Sequence, residues 1–130
     1  MSWAEVSIRY RDLDPNGHVN NGAINQYFED GRVKFREDLM GSLGREILTG
    51  FAIAHLEASY FSALNYPGSV EVGTVVTRIG KTSFGLGQAI FVGSREIAGA
   101  DVVSVYFDPS TGTKKHLPKE LLTVLEKALL

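Results

Sequence analysis

The chain predicts an α+β fold, with one long helix packed on a mostly antiparallel β-sheet. Three patterns predict it: segments with apolar residues at every second position, one apolar stripe at helical spacing before Gly41, and short turns between the later alternating segments. Short turns join antiparallel neighbours, because parallel strands need long crossovers.

Val6, Ile8 and Tyr10 alternate with Ser7, Arg9 and Arg11, the period of a half-buried strand. Asp12-Leu-Asp-Pro-Asn-Gly17 is dense in turn formers. The period then changes. Ile24, Phe28, Gly31, Phe35 and Leu39 lie on one stripe of a helix, which Asn20 or Asn21 can cap and Gly41 and Gly44 close. Phe51 to Phe61 reads as a strand, although Ala-Ile-Ala and Leu-Glu-Ala within it suit a helix as well. Asn65-Tyr-Pro-Gly-Ser69 is a turn, and Val70, Val72, Thr74 and Val76 restart the period of two. Gly80-Lys-Thr82 interrupts it, and Ser83 to Val92 resumes it. Val92-Gly-Ser-Arg-Glu96 is a further turn, followed by a β-rich run from Val102 to Phe107 and a strong turn at Asp108-Pro-Ser-Thr-Gly112. Pro118 opens a short helix with Leu121, Leu122, Leu125 and Leu129 on one face. One helix cannot cover both faces of such a sheet, so an oligomer is expected. Gly85 and Gly87 share a side with Ser83 and Ala89, which suggests close approach of another backbone there, the central helix being the candidate.

Composition narrows the function. The 130 residues suit one domain, spanning 1–130, with a core of its own. A formal net charge of −2 argues against a nucleic-acid partner. Absence of cysteine removes disulfides, thiolate zinc sites and a Cys nucleophile together. The start, Met1-Ser-Trp-Ala-Glu5, has no basic region followed by an apolar core, and no run is long enough to span a bilayer. A cytoplasmic protein without membrane contact is the expectation.

The chemistry is concentrated in residues 12 to 21. Asp12 and Asp14, His18, and the amides Asn16, Asn20 and Asn21 fall between a strand and a helix start. A helix N-terminus offers unpaired N–H groups and the positive end of its dipole, where an oxyanion can form. A charged carboxylate beside it can serve acyl transfer as nucleophile or as base for water. The plainer explanation is a turn and a cap, for which Asp, Asn and Gly are suited anyway. A calcium loop fits Asp12, Asp14, Asn16 and Gly17, but its twelfth position, which should be Glu, is Ala23. No Gly-x-Ser-x-Gly elbow or phosphate-binding glycine loop occurs, and His18, His55 and His116 lack zinc spacing, so no metal site is expected. His55, in an apolar run, reads as a core or lining residue, and His116 as a surface one.

Tyr10-Arg-Asp-Leu-Asp-Pro-Asn-Gly-His-Val-Asn-Asn21, followed by Tyr27-Phe-Glu29, resembles the signature of hotdog-fold thioesterases. These include 4-hydroxybenzoyl-CoA thioesterase-like enzymes, bacterial acyl-CoA thioesterases and plant acyl-ACP thioesterases. Weaker support comes from Tyr66-Pro67, Glu71-Val-Gly73 and Ile79-Gly-Lys-Thr-Ser83. The resemblance implies a long central helix wrapped by a curved five-stranded antiparallel sheet, and subunits paired as homodimers that often assemble into homotetramers. It implies hydrolysis of an acyl-CoA or acyl carrier protein thioester, with no cofactor beyond the CoA or phosphopantetheine of the substrate. Asp14 matches the family's catalytic carboxylate, the backbone amide near Asn21 its oxyanion donor, and Asn16 and His18 polar residues with catalytic or positioning roles. CoA would lie across a subunit interface near Lys81 and Ser83. Some relatives carry His or Tyr where this chain has Asn21, which leaves His18, or Asp14 with water alone, to do the proton chemistry. Glu29 often has a counterpart in the family and either orders the site or pairs with Arg32 on the helix surface. Two alternatives stand beside hydrolysis. An enoyl-thioester hydratase or dehydratase on this fold usually spaces Asp and His five apart, against four here. The other is an acyl-CoA-binding module without turnover.

Overall fold

The computed structural model describes residues 1–130 except the side chain of Glu46. Strand β1 (Ser2–Ser7) leads through a 3-10 turn (Tyr10–Asp12) to helix α1 (Asn21–Met40) and a short α2 (Arg45–Leu48). Strands β2 (Phe51–Tyr60), β3 (Ser69–Ile79), β4 (Ser83–Val92) and β5 (Arg95–Tyr106) follow, then α3 (Lys119–Ala128). The five strands form one antiparallel sheet in the order β1-β3-β4-β5-β2. Register shifts at Ile53/His55, Val76/Arg78 and Ile90/Phe91 mark bulges, which add twist and bend the sheet. This is the hotdog arrangement.

The helix lies on one face only. Its stripe of Ile24, Tyr27, Phe28, Gly31 and Phe35 is buried against Val70, Val72, Val76, Leu86, Ile90 and Val102 of the sheet. Removing such side chains from water supplies roughly 1.5–3 kcal/mol apiece. Gly31 sits where no larger residue fits, since a Cβ there would come 2.5 Å from Val72 Cγ1. Beside it the buried Gln88 of β4 stitches helix to sheet. Its Nε2 donates to the Phe28 carbonyl at 2.9 Å and to Thr74 Oγ1 at 3.0 Å, and its Oε1 accepts from Arg32 Nη1 at 3.0 Å.

Several sequence expectations need correcting. The first strand lies earlier than the alternation at 6–11 suggested, and Tyr10 is exposed because the 3-10 turn has begun there. β5 starts at Arg95, seven residues before Val102, because the Gly93 turn is tight and pairing resumes at once. Gly85 and Gly87 face away from α1, and a Cβ on either would meet Thr77 instead. The close approach to the helix is made by Gly31. His55 is exposed on the edge strand, whereas His116 is a surface residue as expected. In α3, Leu121 and Leu125 are buried but Leu129 is exposed.

Two surfaces are left uncovered. No helix among the described residues packs on the outer face of the sheet. There a trough of about 490 Å³ runs over Gly73, Gly87, Ala89 and Gly99 between Trp3 and Phe61. The sheet has two edge strands, β1 and β2, and β2 is exposed along most of its length. Ile53, Leu56 and Tyr60 of β2 and Val33 of α1 form an apolar seam open to solvent.

Candidate active site

The Asp14 segment is a small β-loop attached to the start of α1. Leu13 bridges Val19, and Asp14 N–H donates to the His18 carbonyl at 2.7 Å. Gly17 turns the chain at φ 81, a conformation that glycine adopts without a steric penalty. Asp14 Oδ1 accepts from the backbone N–H of Asn16 at 2.9 Å and of His18 at 3.1 Å. This is an Asx-type turn that holds the carboxylate by one oxygen. The other oxygen, Oδ2, has no partner among the described residues, and Asp14 is only half-buried.

Asn20 fastens this loop to the helix. Its backbone N–H and its Nδ2 both donate to the Asp12 carbonyl at 2.9 Å, and its Oδ1 accepts from Ala23 N–H at 2.7 Å. The cap therefore consumes one helix-terminal donor. The N–H groups of Asn21 and Gly22 have no acceptor among the described residues and lie in the exposed first turn.

Asp12 has a separate task. It is buried, and its Oδ2 accepts from Tyr27 Oη at 2.6 Å and from Arg9 N–H at 3.0 Å. Burial works to raise its pKa, but the Tyr27 hydroxyl and the Arg9 hydrogen bonds and charge outweigh it and hold the carboxyl below its ordinary 3.8. The Tyr27 hydroxyl is pushed up, by burial first and then by Asp12. Asp12 thus anchors the loop to the second turn of α1 and faces away from Asp14, so the two carboxylates do not converge on a cation. Among the described residues no group of three His, Asp or Glu side chains is placed to hold a metal.

Tyr27→Phe is expected to destabilise the protein by about 1.5–3 kcal/mol near neutral pH, the range for a hydrogen bond to a charged group. A depressed carboxyl pKa stabilises the fold above the ordinary value and loses that contribution as pH falls through the folded value. The gap between wild type and Tyr27→Phe should therefore close as pH drops below 3.8. Urea midpoints across pH check this; a gap independent of pH would show that the hydroxyl acts without the charge.

The sequence-derived site residues separate into two groups. Asp14, Asn16, His18 and Asn21 share the loop and helix start, but Asn16 and His18 meet Asp14 through backbone amides, with both side chains exposed. Lys81 and Ser83 sit on the β3–β4 hairpin, next to Phe84, which lines a cavity with Phe35 and Met40 of the last turns of α1. A twenty-residue helix is about 30 Å long, so within one chain they lie far from Asp14. Glu29 and Arg32 both line that cavity of about 290 Å³, together with Arg36, Phe51, Leu86 and Ser104. Arg32 reaches Gln88 rather than forming an ion pair with Glu29. Burial lowers the Arg32 pKa from its ordinary value, with the Glu29 charge opposing. Sequence reading missed this cavity, because its walls come from α1, β2, β4 and β5.

Residues 8–125 match the model of the thioesterase-like superfamily. The chain belongs to that superfamily. Solved structures similar to this superfamily member include a predicted thioesterase from Bacillus stearothermophilus, with a TM-score of 0.90 and 25% identity, covering 99% of this chain and 96% of the other. A thioesterase from Thermus thermophilus, complexed with coenzyme A and Zn, aligns with a TM-score of 0.86 and 24% identity over 98% and 92% of the two chains. No protein of curated function matches the chain. Among the described residues of this thioesterase-like chain no helix is long and apolar enough to cross a membrane.

Proposed function

We propose that this chain hydrolyses the thioester of an acyl-CoA or an acyl carrier protein. The observation that carries the reading is Asp14, whose Oδ2 is free beside a helix start with two open N–H groups. Asp14 then takes a proton from water as the water oxygen attacks the thioester carbonyl, or attacks it directly to form a mixed anhydride that water then hydrolyses to the free acid. The oxyanion is received by Asn21 and Gly22 N–H, and its collapse expels the thiolate, which takes up a proton, the one held by Asp14 in the water route, and leaves as free thiol. Asn16 and His18 shape the loop through their backbones, and their exposed side chains are available to order water or pantetheine. CoA or phosphopantetheine enters only as part of the substrate. A CoA-complexed structural relative supports the choice of carrier.

The active form in this reading is a dimer joined along β2, with a further pairing into tetramers left to the open outer face. An exposed strand edge and an apolar seam are both satisfied when a second copy pairs there. The direction of β2 gives this a consequence. Its Tyr60 end lies at the start of α1, where Tyr60 Oη donates to Asn25 Oδ1 at 2.7 Å. Its Phe51 end lies by Tyr106, and Tyr106 N–H donates to the Thr82 carbonyl of the hairpin at 2.9 Å. Antiparallel pairing about a two-fold axis sets the Tyr60 end of one copy beside the Phe51 end of the other. Asp14 of one protomer then shares an end with Lys81 of the partner subunit. The cavity at that end has an apolar wall of Phe35, Met40, Phe51 and Leu86 that suits an acyl group, beside the charged Glu29, Arg32 and Arg36.

The test is release of free thiol from a panel of acyl-CoA substrates, scored against hydration of an enoyl-CoA. Thiol release is expected. Hydration without thiol would replace the reading with the hydratase one, and tight CoA binding with neither product would make the chain a binding module.

A further inference from the structure

We propose that the acyl group this chain accepts ends in a carboxylate, which Arg32 and Arg36 bind in the cavity between α1 and the sheet. The substrate class is then a dicarboxylic acid joined to its carrier at one end, a role that rests on the thioesterase reading above.

Phe35, Met40, Phe51, Phe84 and Leu86 give the cavity of about 290 Å³ an apolar wall, which a plain hydrocarbon chain could fill. Two arginines one helical turn apart also line it. Arg32 is half-buried, and the exposed Arg36 holds its guanidinium 5.9 Å over the Phe51 ring. Neither has a carboxylate within ion-pair distance among the described residues, where the ion pairs join Arg9 to Asp12 and Lys34 to Asp38. Glu29 shares the cavity, and its charge acts on Arg32, as does that of Arg36 with the opposite sign. One glutamate against two arginines leaves a positive charge over. Arg32 uses Nη1 to reach Gln88 Oε1 at 3.0 Å, and its Nε and Nη2 have no acceptor among the described residues. Ser104, on the sheet wall of the same cavity, is 5% exposed, and its hydroxyl has no hydrogen-bond partner among the described residues. A buried hydroxyl left unpaired is uncommon and calls for a polar atom of the occupant.

These groups suit a flat anion. Guanidinium matches a carboxylate in geometry as well as charge, and a hydroxyl adds a further donor. An anion beside Arg32 and Arg36 also offsets the repulsion between like charges one turn apart. A hydrocarbon end would leave the Arg32 nitrogens and the Ser104 hydroxyl without partners, the mismatch by which polar sites reject apolar analogues.

The experiment compares glutaryl-, adipoyl- and suberoyl-CoA, each against the isostere in which an isopropyl group replaces the carboxylate. Wild type, Arg36→Met, Arg36→Lys and Ser104→Ala are assayed for thiol release, with melting curves to confirm that each is folded. Arg36 is the arginine to replace, because Arg32 also ties α1 to Gln88. At its best chain length wild type should favour the carboxylate substrate by about tenfold or more in kcat/KM, and Arg36→Met should cut that preference about tenfold, the scale of a charge-assisted contact. Arg36→Lys should keep part of the preference, and Ser104→Ala should lower it. A wild type that favours the isopropyl substrates at every length overturns the proposal, as does a preference unmoved in Arg36→Met. Non-cleavable CoA thioethers with the same two kinds of end, titrated by calorimetry, make the comparison without turnover. If no thioester is cleaved, the thioesterase reading fails and the titration still decides the site. Tighter binding of the carboxylate-ended thioethers that is lost in Arg36→Met supports it, and equal binding of the two kinds, or none, overturns it.

Discussion

Asp14→Asn is expected to lower kcat by about three powers of ten while leaving the melting temperature nearly unchanged. The size follows from the role. A positioned base or nucleophile contributes on the order of 10²–10⁴-fold, and an amide can neither take a proton from water nor attack as a carboxylate does. The small structural effect follows from the geometry. In the native loop Oδ1 accepts the N–H groups of Asn16 and His18, and an asparagine Oδ1 can accept both. The fall should appear in kcat and kcat/KM alike, the sign of an interaction made in the transition state. Steady-state thiol release on several acyl-CoA substrates, with a parallel melt, measures both. A variant as fast as wild type would remove Asp14 from the chemistry and leave its loop a helix cap.

The second large effect is expected from Leu56→Glu. Leu56 is paired with Val102, on the face of β2 that continues toward α1, and it is 38% exposed although it sits mid-strand in an apolar seam. In a dimer joined along β2 that surface becomes buried. A carboxylate there would be desolvated near its own symmetry copy, at a cost of several kcal/mol per ion. The variant should be monomeric by sedimentation at concentrations where wild type is dimeric. Under the proposed β2 dimer its activity should fall by about a hundredfold or more, because Asp14 and Lys81 of the partner subunit would no longer share an end and even small misplacement costs that much. The fold itself should survive, since Leu56 contributes little to the core of its own chain. A fully active monomer would show that one chain suffices and would sink the shared site.

Much of the fold was legible in the sequence. Asn20 caps α1, and the stripe from Ile24 to Phe35 is the buried stripe of the helix, because local hydrogen bonding and a 3.6-residue period are written in consecutive residues. β4 was found at its observed bounds, since Gly80-Lys-Thr82 and Gly93 punctuate it. The misplacements share a cause. Tyr10 fits the period of two, but backbone bonding from Arg9 to Asp12 starts a 3-10 turn there. Gly85 and Gly87 share one side, as the period of two dictates, but which side meets the helix depends on the packing of α1, and it is the other.

For the site, the sequence by itself determined the polar loop, its place at a helix start and Asp14 within it, because all of these lie within ten consecutive residues. Only the tertiary structure decided the rest. It turned Asp12 inward to Tyr27, left Asp14 with one free carboxylate oxygen, and showed that His18 meets Asp14 through its backbone. It also set Lys81 at the opposite end of the helix from Asp14 and laid residues 114–117 against it. Sequence spacing describes neighbours along the chain, whereas these relations come from how a sheet pairs distant strands and from which face a helix covers.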